Sequence, residues 1–295
     1  MIKSLLKNTH KKIQKEANKK ESRIQKPFVF LLSFLRPVYY SNEWLLINGI
    51  KRKSRSKQQS IIFFSVHKSA STFIKNTIFE LIGKHNLTLL NLSGYLTEAK
   101  QKELYNNPLK MDKLLQEKGY FYGAFRKYYN FPKLDKFKIL LVLRDPRDVL
   151  TSRYFSVLYN HPLSRKEVYK RRKKYEGISI DDFVLEYAPG IQKIYEDYCL
   201  NLIDKENVLF LKYEDMITDL RPWLTRLSVF FNLSGNENLI EEIVNKTSFK
   251  VKKEDPHSFI RNIKAGDHKN KLRAETIETL NGLFRNELKL LNYID

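Results

Sequence analysis

The segment at residues 60–82 constrains the fold of this chain more than any other part of the sequence. A short apolar run at 61–66, rich in isoleucine and phenylalanine, is typical of a buried β-strand. It ends at a hydroxyl-rich turn containing Lys68, and residues 72–82 have the apolar spacing of a helix. A helix that begins directly after a strand points free backbone N–H groups and its positive dipole end at the turn. The segment therefore predicts a loop that holds a phosphate.

This loop differs from the phosphate loop of ATPases. That motif needs a glycine, four residues, and then Gly-Lys-Ser/Thr, whereas here Lys68 precedes the small residues and the turn has no glycine. Taken alone, the pattern fits an ordinary capped helix start equally well. A second anion site is needed to decide between the two.

Residues 138–143 form a second buried-strand run that leads into a second basic corner. Arg144 follows the strand, Asp145 is a good N-cap, Pro146 suits the first helical position, and Ser152 lies two turns into the helix. Because ligands bind at the carboxyl ends of strands in open α/β sheets, two such corners predict a ligand with two phosphates.

Together these two corners resemble the sulfotransferases that use 3′-phosphoadenosine 5′-phosphosulfate (PAPS). That family has a Pro-Lys-Ser-Gly-Thr-Thr-Trp loop for the 5′-phosphosulfate, which reads His-Lys-Ser-Ala-Ser-Thr-Phe at 67–73 here. An Arg-(Asp/Asn)-Pro-(Arg/Lys)-Asp-x-x-x-Ser element for the 3′-phosphate corresponds to 144–152. Three later elements follow in the family's order: Tyr-Glu-Asp at 213–215, Thr-Ser-Phe at 247–249, and a closing segment at 261–270.

The resemblance implies the roles of the site residues. Lys68 is expected to be catalytic, neutralising the bridging oxygen as the S–O bond breaks. The residues expected to bind the nucleotide are Ser69, Ala70, Ser71, Thr72, Phe73, Arg144, Ser152, Tyr213, Thr247, Phe249 and Arg261. Arg147 and Arg153 are expected to be structural or solvated, and Glu214 and Asp215 to serve in caps or ion pairs. No histidine–cysteine cluster has metal-ligand spacing, and the donor chemistry needs no metal.

Several positions depart from the family pattern. Ala70 replaces a glycine, Phe73 replaces a tryptophan, and Asn-Ile at 262–263 replaces Lys-Gly. Many members have a Lys-Thr-His segment whose histidine is the general base, but residues 122–127 here contain no histidine. The base is therefore unassigned. The candidates are His161, which lies in a predicted substrate loop, and also His257 and His268.

The alternation of strand and helix patterns predicts one α/β domain at 58–295, with a central parallel sheet flanked by helices. The resemblance implies the same fold, similar to P-loop nucleotide kinases. Residues 93–118 and 159–190 lack strand patterns and are predicted to be acceptor-site loops or surface helices. A closing amphipathic helix is predicted at 272–291. The strands are predicted at 60–66, 87–92, 120–125, 138–143 and 208–211.

The net charge of +21 is concentrated in a basic N-terminal extension at 1–57, which holds more than half of the excess. This placement, outside the anion-binding core, argues against a nucleic-acid partner. The apolar patch at 28–35 is too short to span a bilayer. It is predicted to pack on the core, and the alternative is peripheral contact with an anionic membrane. The single cysteine, Cys199, is expected to be buried, and it indicates a reducing, cytoplasmic environment.

The sequence thus favours a PAPS-dependent sulfotransferase that modifies a hydroxyl or amine of a carbohydrate, lipid or small molecule. Two alternatives are a P-loop kinase or NTPase, which the missing Gly-Lys-Ser/Thr disfavours, and a non-enzymatic nucleic-acid- or membrane-binding protein. A third is a PAPS-binding relative without activity, because the family's histidine base is missing.

Deletion of residues 1–26 should leave nucleotide binding nearly intact, because this segment lies outside every predicted donor-binding element. It should weaken association with anionic vesicles or anionic acceptors. That effect should shrink with added salt, because exposed charges are screened over about 8 Å at physiological ionic strength. Calorimetry and vesicle co-sedimentation measure the two properties. A truncated protein that folds but no longer binds nucleotide would place this segment in the core.

Overall fold

The structure is a computed structural model. It describes residues 36–50, 54, 56–82, 87–160, 166–233, 235–249, 251, 254–258 and 261–294. Most of the predicted extension, including the apolar patch at 28–35, lies outside these residues. His161 does so as well.

A parallel sheet of five strands forms the centre of the described residues, in the order β2-β3-β1-β4-β5. The predicted α/β architecture is confirmed, and all five strands fall within about two residues of their predicted bounds. The strands are β1 Ile61–Ser65, β2 Thr88–Leu90, β3 Tyr120–Phe125, β4 Lys138–Leu143 and β5 Val208–Lys212. Because all strands run in the same direction, the turns after β1, β3, β4 and β5 meet at one edge of the sheet.

Helices connect the strands and cover both faces of the sheet. In chain order they are α1 Ser41–Ile47, α2 Ser71–Ile82, α3 Leu92–Tyr95, α4 Glu98–Tyr105, α5 Pro108–Leu114, α6 Pro146–Phe155, α7 Lys166–Lys174, α8 Ile180–Leu202, α9 Tyr213–Thr218, α10 Leu220–Phe230, α11 Glu237–Lys246, α12 His268–Lys271, α13 Ala274–Leu283 and α14 Arg285–Leu290. A π-helical turn, Ser156–Asn160, follows α6 directly. The region predicted to form acceptor loops is therefore mostly helical.

The sheet is buried on both faces, as its continuous apolar strands predict. Side chains alternate along β1, so Ile62 and Phe64 belong to the core cluster that contains Tyr195 and Tyr198 of α8. Ile61 and Phe63 belong to the second cluster, which includes Trp223 of α10. This double burial holds the strand ends rigidly, and with them the turns that carry the predicted site residues.

The prediction of one closing helix at 272–291 is wrong. The segment forms two helices, α13 and α14, that meet at Phe284. Phe284 is fully buried, with its ring centroid 6.2 Å from that of Tyr195. The helix is therefore interrupted at the residue whose side chain is buried in the core. Periodicity alone did not show it, since the apolar spacing continues through the break.

Cys199 is only half-buried on α8, where full burial was predicted. Burial nevertheless raises the pKa of its thiol to about 12, which fits the predicted structural role because the reactive form is the thiolate. Within the described part of the chain, no helix has both the length and the apolar character needed to cross a bilayer.

Leu141→Ala should lower the free energy of unfolding by about 2–5 kcal/mol. Leu141 is fully buried in β4, between Phe64 of β1 and Phe210 of β5 in the strand register. Leu200→Ala on α8 is the matched control, because Leu200 is 70% exposed, and it should change stability by no more than about 0.5 kcal/mol. Urea denaturation of both variants tests this; equal losses would contradict the assigned core.

Candidate active site

The turn between β1 and α2 is closed by its own backbone and hydroxyl groups. Lys68 and Ala70 both have positive φ, 68° and 52°, so the turn uses the left-handed conformation at two non-glycine residues. Ala70 therefore tolerates the conformation that the family's glycine adopts more readily. Ser69 is fully buried, donates to Val66 O at 2.8 Å, and has its Oγ 2.6 Å from that of Ser65. The Ser69 hydroxyl therefore forms hydrogen bonds within the turn.

The remaining predicted residues of this turn lie in the first turn of α2. Ser71 is buried, Thr72 is exposed and Phe73 is half-buried. Phe73 packs edge-to-face on Phe249, with ring centroids 5.2 Å apart. Thr247, at the end of α11, is half-buried. The fold therefore brings together two aromatic rings that were both expected to bind the nucleotide.

Arg144 joins the first turn to the second corner and to the closing segment. It is 3% exposed and donates to Lys68 O at 3.1 Å and to Lys264 O at 3.3 Å. Its guanidinium lies 4.5 Å from the centroid of the Tyr213 ring, and Tyr213 in turn donates to Ile263 O at 2.9 Å. Arg144 Nε is buried and finds no acceptor among the described residues. A donor of this kind is costly to leave unpaired and suits a bound anion.

The start of α6 confirms the predicted helix cap and the predicted first helical residue. Asp145 caps the helix and Pro146 opens it. Arg147 is buried, pairs with Asp145 at 2.6 Å and donates to Asn281, which confirms its structural role. Ser152 is half-buried in the second turn of α6, and Arg144 lies just before the helix begins.

Glu214 also has the structural role that was predicted for it. Its carboxylate accepts from Asp145 N at 2.9 Å and from the Tyr293 hydroxyl at 2.8 Å. Burial raises the pKa of this carboxyl. Because both of its oxygens support other residues of the fold, Glu214 does not form a catalytic carboxylate pair.

Sequence reasoning missed the partnership of Asp148 with His268. Asp148 is fully buried, accepts from Arg144 at 3.4 Å, and accepts from the backbone N–H groups of Gly266 at 2.8 Å and His268 at 3.0 Å. The Nδ1 atom of His268 lies 2.7 Å from Asp148 Oδ1. Burial alone would raise the pKa of Asp148, but the hydrogen bonds from His268 and the charge of Arg144 outweigh it and lower the pKa to about 2. The sequence signals for this contact were Asp148 in the 144–152 motif and His268 in the closing segment at 261–270.

The structure does not support His268 as the acceptor-activating base. Its ring is 1% exposed, and its Nδ1 atom is hydrogen-bonded to the carboxylate of Asp148. His257 is exposed, and its ring centroid lies 5.4 Å from that of Tyr159. Within the described residues, no group of three or more histidine, cysteine, aspartate or glutamate side chains could hold a metal ion.

Lys68 lies among three arginines. Burial, followed by the charges of Arg144, Arg261 and Arg153, lowers the pKa of Lys68 to about 8. Arg261 is held by ion pairs with Glu254 and Asp267, and its guanidinium lies 4.0 Å from the centroid of a phenylalanine ring on α6. Arg153 is half-buried against the Tyr187 ring, and its charge also acts on Lys68. The four cations can balance the charge of a polyanionic ligand.

A strand–turn–helix phosphate loop with a second cationic corner defines a nucleotide-binding transferase of the α/β class. The chain matches the model of the sulfotransferase domain over residues 58–292 and belongs to that family. It is 25% identical over 188 residues to an amine sulfotransferase of Oryctolagus cuniculus, spanning 59% of that protein's length and 55% of its own. It is 27% identical over 261 residues to cytosolic sulfotransferase 7 of Arabidopsis thaliana, covering 77% of this chain and 78% of that protein.

Solved structures share the fold. Mouse sulfotransferase SULT7A1, complexed with PAP, superposes with a TM-score of 0.57 at 17% identity, covering 84% of this chain and 94% of that one. Retinol dehydratase, in a complex with retinol and PAP, superposes with a TM-score of 0.56 at 17% identity, covering 84% and 85%. These structures confirm the predicted fold, and the match to the family model confirms the predicted family.

Asp148→Asn should lower the free energy of unfolding by about 3–5 kcal/mol, the usual cost of removing one partner of a buried ion pair. It should also flatten the acid dependence of stability. The pKa of Asp148 is lower in the folded protein, about 2, than in an unfolded chain, about 3.9. The ionised carboxylate therefore stabilises the fold above pH of about 4. This contribution, about 2–3 kcal/mol, is lost as pH falls toward about 2.

Urea denaturation between pH 2 and 7 measures both effects. Asp135→Asn provides the control, because Asp135 forms an exposed pair with Lys136 and such pairs contribute no more than about 1 kcal/mol. A wild-type acid dependence retained in full by Asp148→Asn would show that Asp148 is not the titrating group.

Proposed function

We propose that this protein transfers a sulfuryl group from PAPS to a hydroxyl or amine of a small-molecule acceptor. The observation that carries the proposal is the position of Lys68, which lies on a strand-to-helix turn, accepts from Arg144 through its backbone oxygen, and feels the charges of Arg144, Arg261 and Arg153. Membership of the sulfotransferase family supports it. So do the PAP in the related structures and the amine and hydroxysteroid acceptors in the names of relatives. We further propose a cytoplasmic location.

In the proposed reaction the acceptor oxygen or nitrogen attacks the sulfur in line with the bridging oxygen. The bond from sulfur to that oxygen breaks, and its electron pair stays on the 5′-phosphate. The acceptor proton passes to solvent or to a base, and the products are the sulfated acceptor and PAP. Charge builds on the leaving phosphate, where a preorganised cluster of cations lowers the barrier most. Lys68 is the residue we assign to that oxygen.

The described residues fit the donor. The N-terminus of α2, with Ser71 and Thr72, offers backbone and hydroxyl donors to the 5′-phosphosulfate. The unpartnered Nε of Arg144, together with Ser152, would hold the 3′-phosphate. Arg261 would add charge beside it.

The adenine would lie against the aromatic pair formed by Phe73 and Phe249. Tyr213 and Thr247 would lie beside the ring. PAPS supplies the activated sulfuryl group; the residues of this chain bind it, orient it and balance its charge.

PAP should bind far more tightly than AMP or ATP. Loss of the charge-assisted contact to the 3′-phosphate should cost about 1.5–3 kcal/mol, which corresponds to roughly 10–150-fold in Kd. Isothermal titration calorimetry with PAP, AMP and ATP measures this. Arg144→Ala should remove the preference, whereas Arg226→Ala, at an exposed arginine of α10, should keep it. Equal affinity for PAP and AMP in the wild-type protein would reject the donor assignment and favour a kinase or NTPase.

Lys68→Ala should lower turnover far more than it lowers nucleotide affinity, because its charge matters most as the leaving oxygen becomes negative. The pH dependence provides a second test. The pKa of Lys68 is about 8, so the required ammonium form is lost as pH rises through that value, and kcat/KM for the donor should fall. Lys68→Arg should remain charged and lack this fall. If Lys68→Ala lowers turnover and nucleotide affinity to a similar extent, Lys68 contributes to binding and has no separate catalytic role.

A further inference from the structure

Helix α7 places a strongly basic surface beside α6, which carries Ser152. Its last five residues are all cationic, Lys-Arg-Arg-Lys-Lys at 170–174. Arg172 Nε donates to Val157 O at 3.2 Å, which fixes α7 against the π-helical turn that ends α6. The position of this basic surface relative to the site is therefore set by a contact within the fold.

Arg153 connects this surface to the reacting centre. It follows Ser152 on α6, its Nε is buried without an acceptor among the described residues, and its guanidinium lies 4.9 Å from the centroid of the Tyr187 ring. Burial lowers the pKa of Arg153, and the charge of Arg171 lowers it further. Arg153 in turn lowers the pKa of Lys68. The geometric link to α7 runs through Tyr187, whose ring centroid lies 5.4 Å from that of Tyr175, the residue directly after α7.

Arg153 and Arg171 have little compensating negative charge among the described residues. Lys174 on the same helix is paired with Glu186 at 2.6 Å, and Lys170 and Lys173 are exposed to solvent. Arg171 is half-buried and makes no ion pair with a described carboxylate. Glu98, which is exposed, is the acidic residue whose charge reaches Arg153. Close cations repel one another, and a bound anion relieves that repulsion.

We propose that the acceptor is itself an anion, and that Arg153 and Arg171 bind its carboxylate, phosphate or sulfate group while its hydroxyl or amine faces the sulfur near Lys68. This inference rests on the proposed sulfuryl transfer. The donor's two phosphates are assigned to Arg144, Ser152 and the start of α2, so Arg171 remains for a second ligand. Arg171 acts on acceptor affinity and specificity, whereas Arg153 also contributes charge that acts on Lys68.

The test compares two series of phenols that differ only in charge. One series is 4-hydroxyphenylalkanoates with chains of two, four and six carbons, and the other is 4-alkylphenols of the same lengths. Equilibrium binding to the full chain is measured by calorimetry in the presence of saturating PAP, which forms a complex that cannot react. Initial rates with labelled PAPS are measured in parallel.

At one or more chain lengths, the carboxylate should bind at least tenfold more tightly than its neutral partner, the effect of about one charge-assisted hydrogen bond. Arg171→Ala and Arg153→Met should each remove most of this preference. In the rate assay, Arg171→Ala should raise KM for the carboxylate with little change in kcat, and its PAP affinity should stay unchanged. Lys289→Ala, an exposed lysine of α14, should keep the preference. Arg171 makes no ion pair with a described residue, so its variant should fold even if Arg153→Met does not.

Equal binding of both series at every length, including no detectable binding of any carboxylate, overturns the inference. A preference that Arg171→Ala leaves unchanged overturns it as well. A separate arm measures binding to phosphatidylserine vesicles. If Arg171→Ala weakens vesicle binding while the carboxylate preference is absent, the surface serves a membrane and the proposal fails. Carboxylate binding without turnover would instead reject the proposed sulfuryl transfer and leave the anion site standing.

Discussion

The arrangement of the site depends on the buried contact between Arg144 and Asp148. Arg144 holds the backbone of the phosphate turn at Lys68 and that of the closing segment at Lys264. Asp148, one helical turn further along α6, holds the same closing segment through Gly266 and His268. A buried pair is costly unless its remaining donors and acceptors are satisfied. Here the segments that the pair connects satisfy most of them, and the Nε of Arg144 is the donor that finds no acceptor among the described residues.

Much of the fold could be predicted because parallel strands buried on both faces leave continuous apolar runs. The runs at 120–125 and 138–143 match β3 and β4, and Asp145 and Pro146 mark the start of α6. These signals are local, since each depends on residues next to one another in sequence. The break between α13 and α14 at Phe284 was missed because it depends on where the core can accept a side chain, and periodicity does not contain that information.

The site was predictable only in part, for the same reason. The motifs identified Lys68, Arg144 and the aromatic pair at Phe73 and Phe249. They did not identify the bonds between Asp148 and His268, which are 120 residues apart. Nor did they show that Arg153 acts on Lys68, because that depends on the direction in which α6 leaves the sheet. Contacts between distant segments follow from packing, and a single sequence does not reveal packing.

The cations of the site also explain why a binding loop without glycine is tolerated. The turn holds Lys68 and Ala70 in the left-handed conformation, which costs roughly 1–2 kcal/mol for each L-residue, and it brings Lys68 close to three guanidinium groups. Neither feature stabilises the free protein. An anion in the turn would make use of both features. The backbone N–H groups would have an acceptor, and the cations would gain a counter-charge. If the proposed donor binds here, Arg144 and Asp148 hold the site already formed in the free protein, so less binding energy would be spent on ordering it.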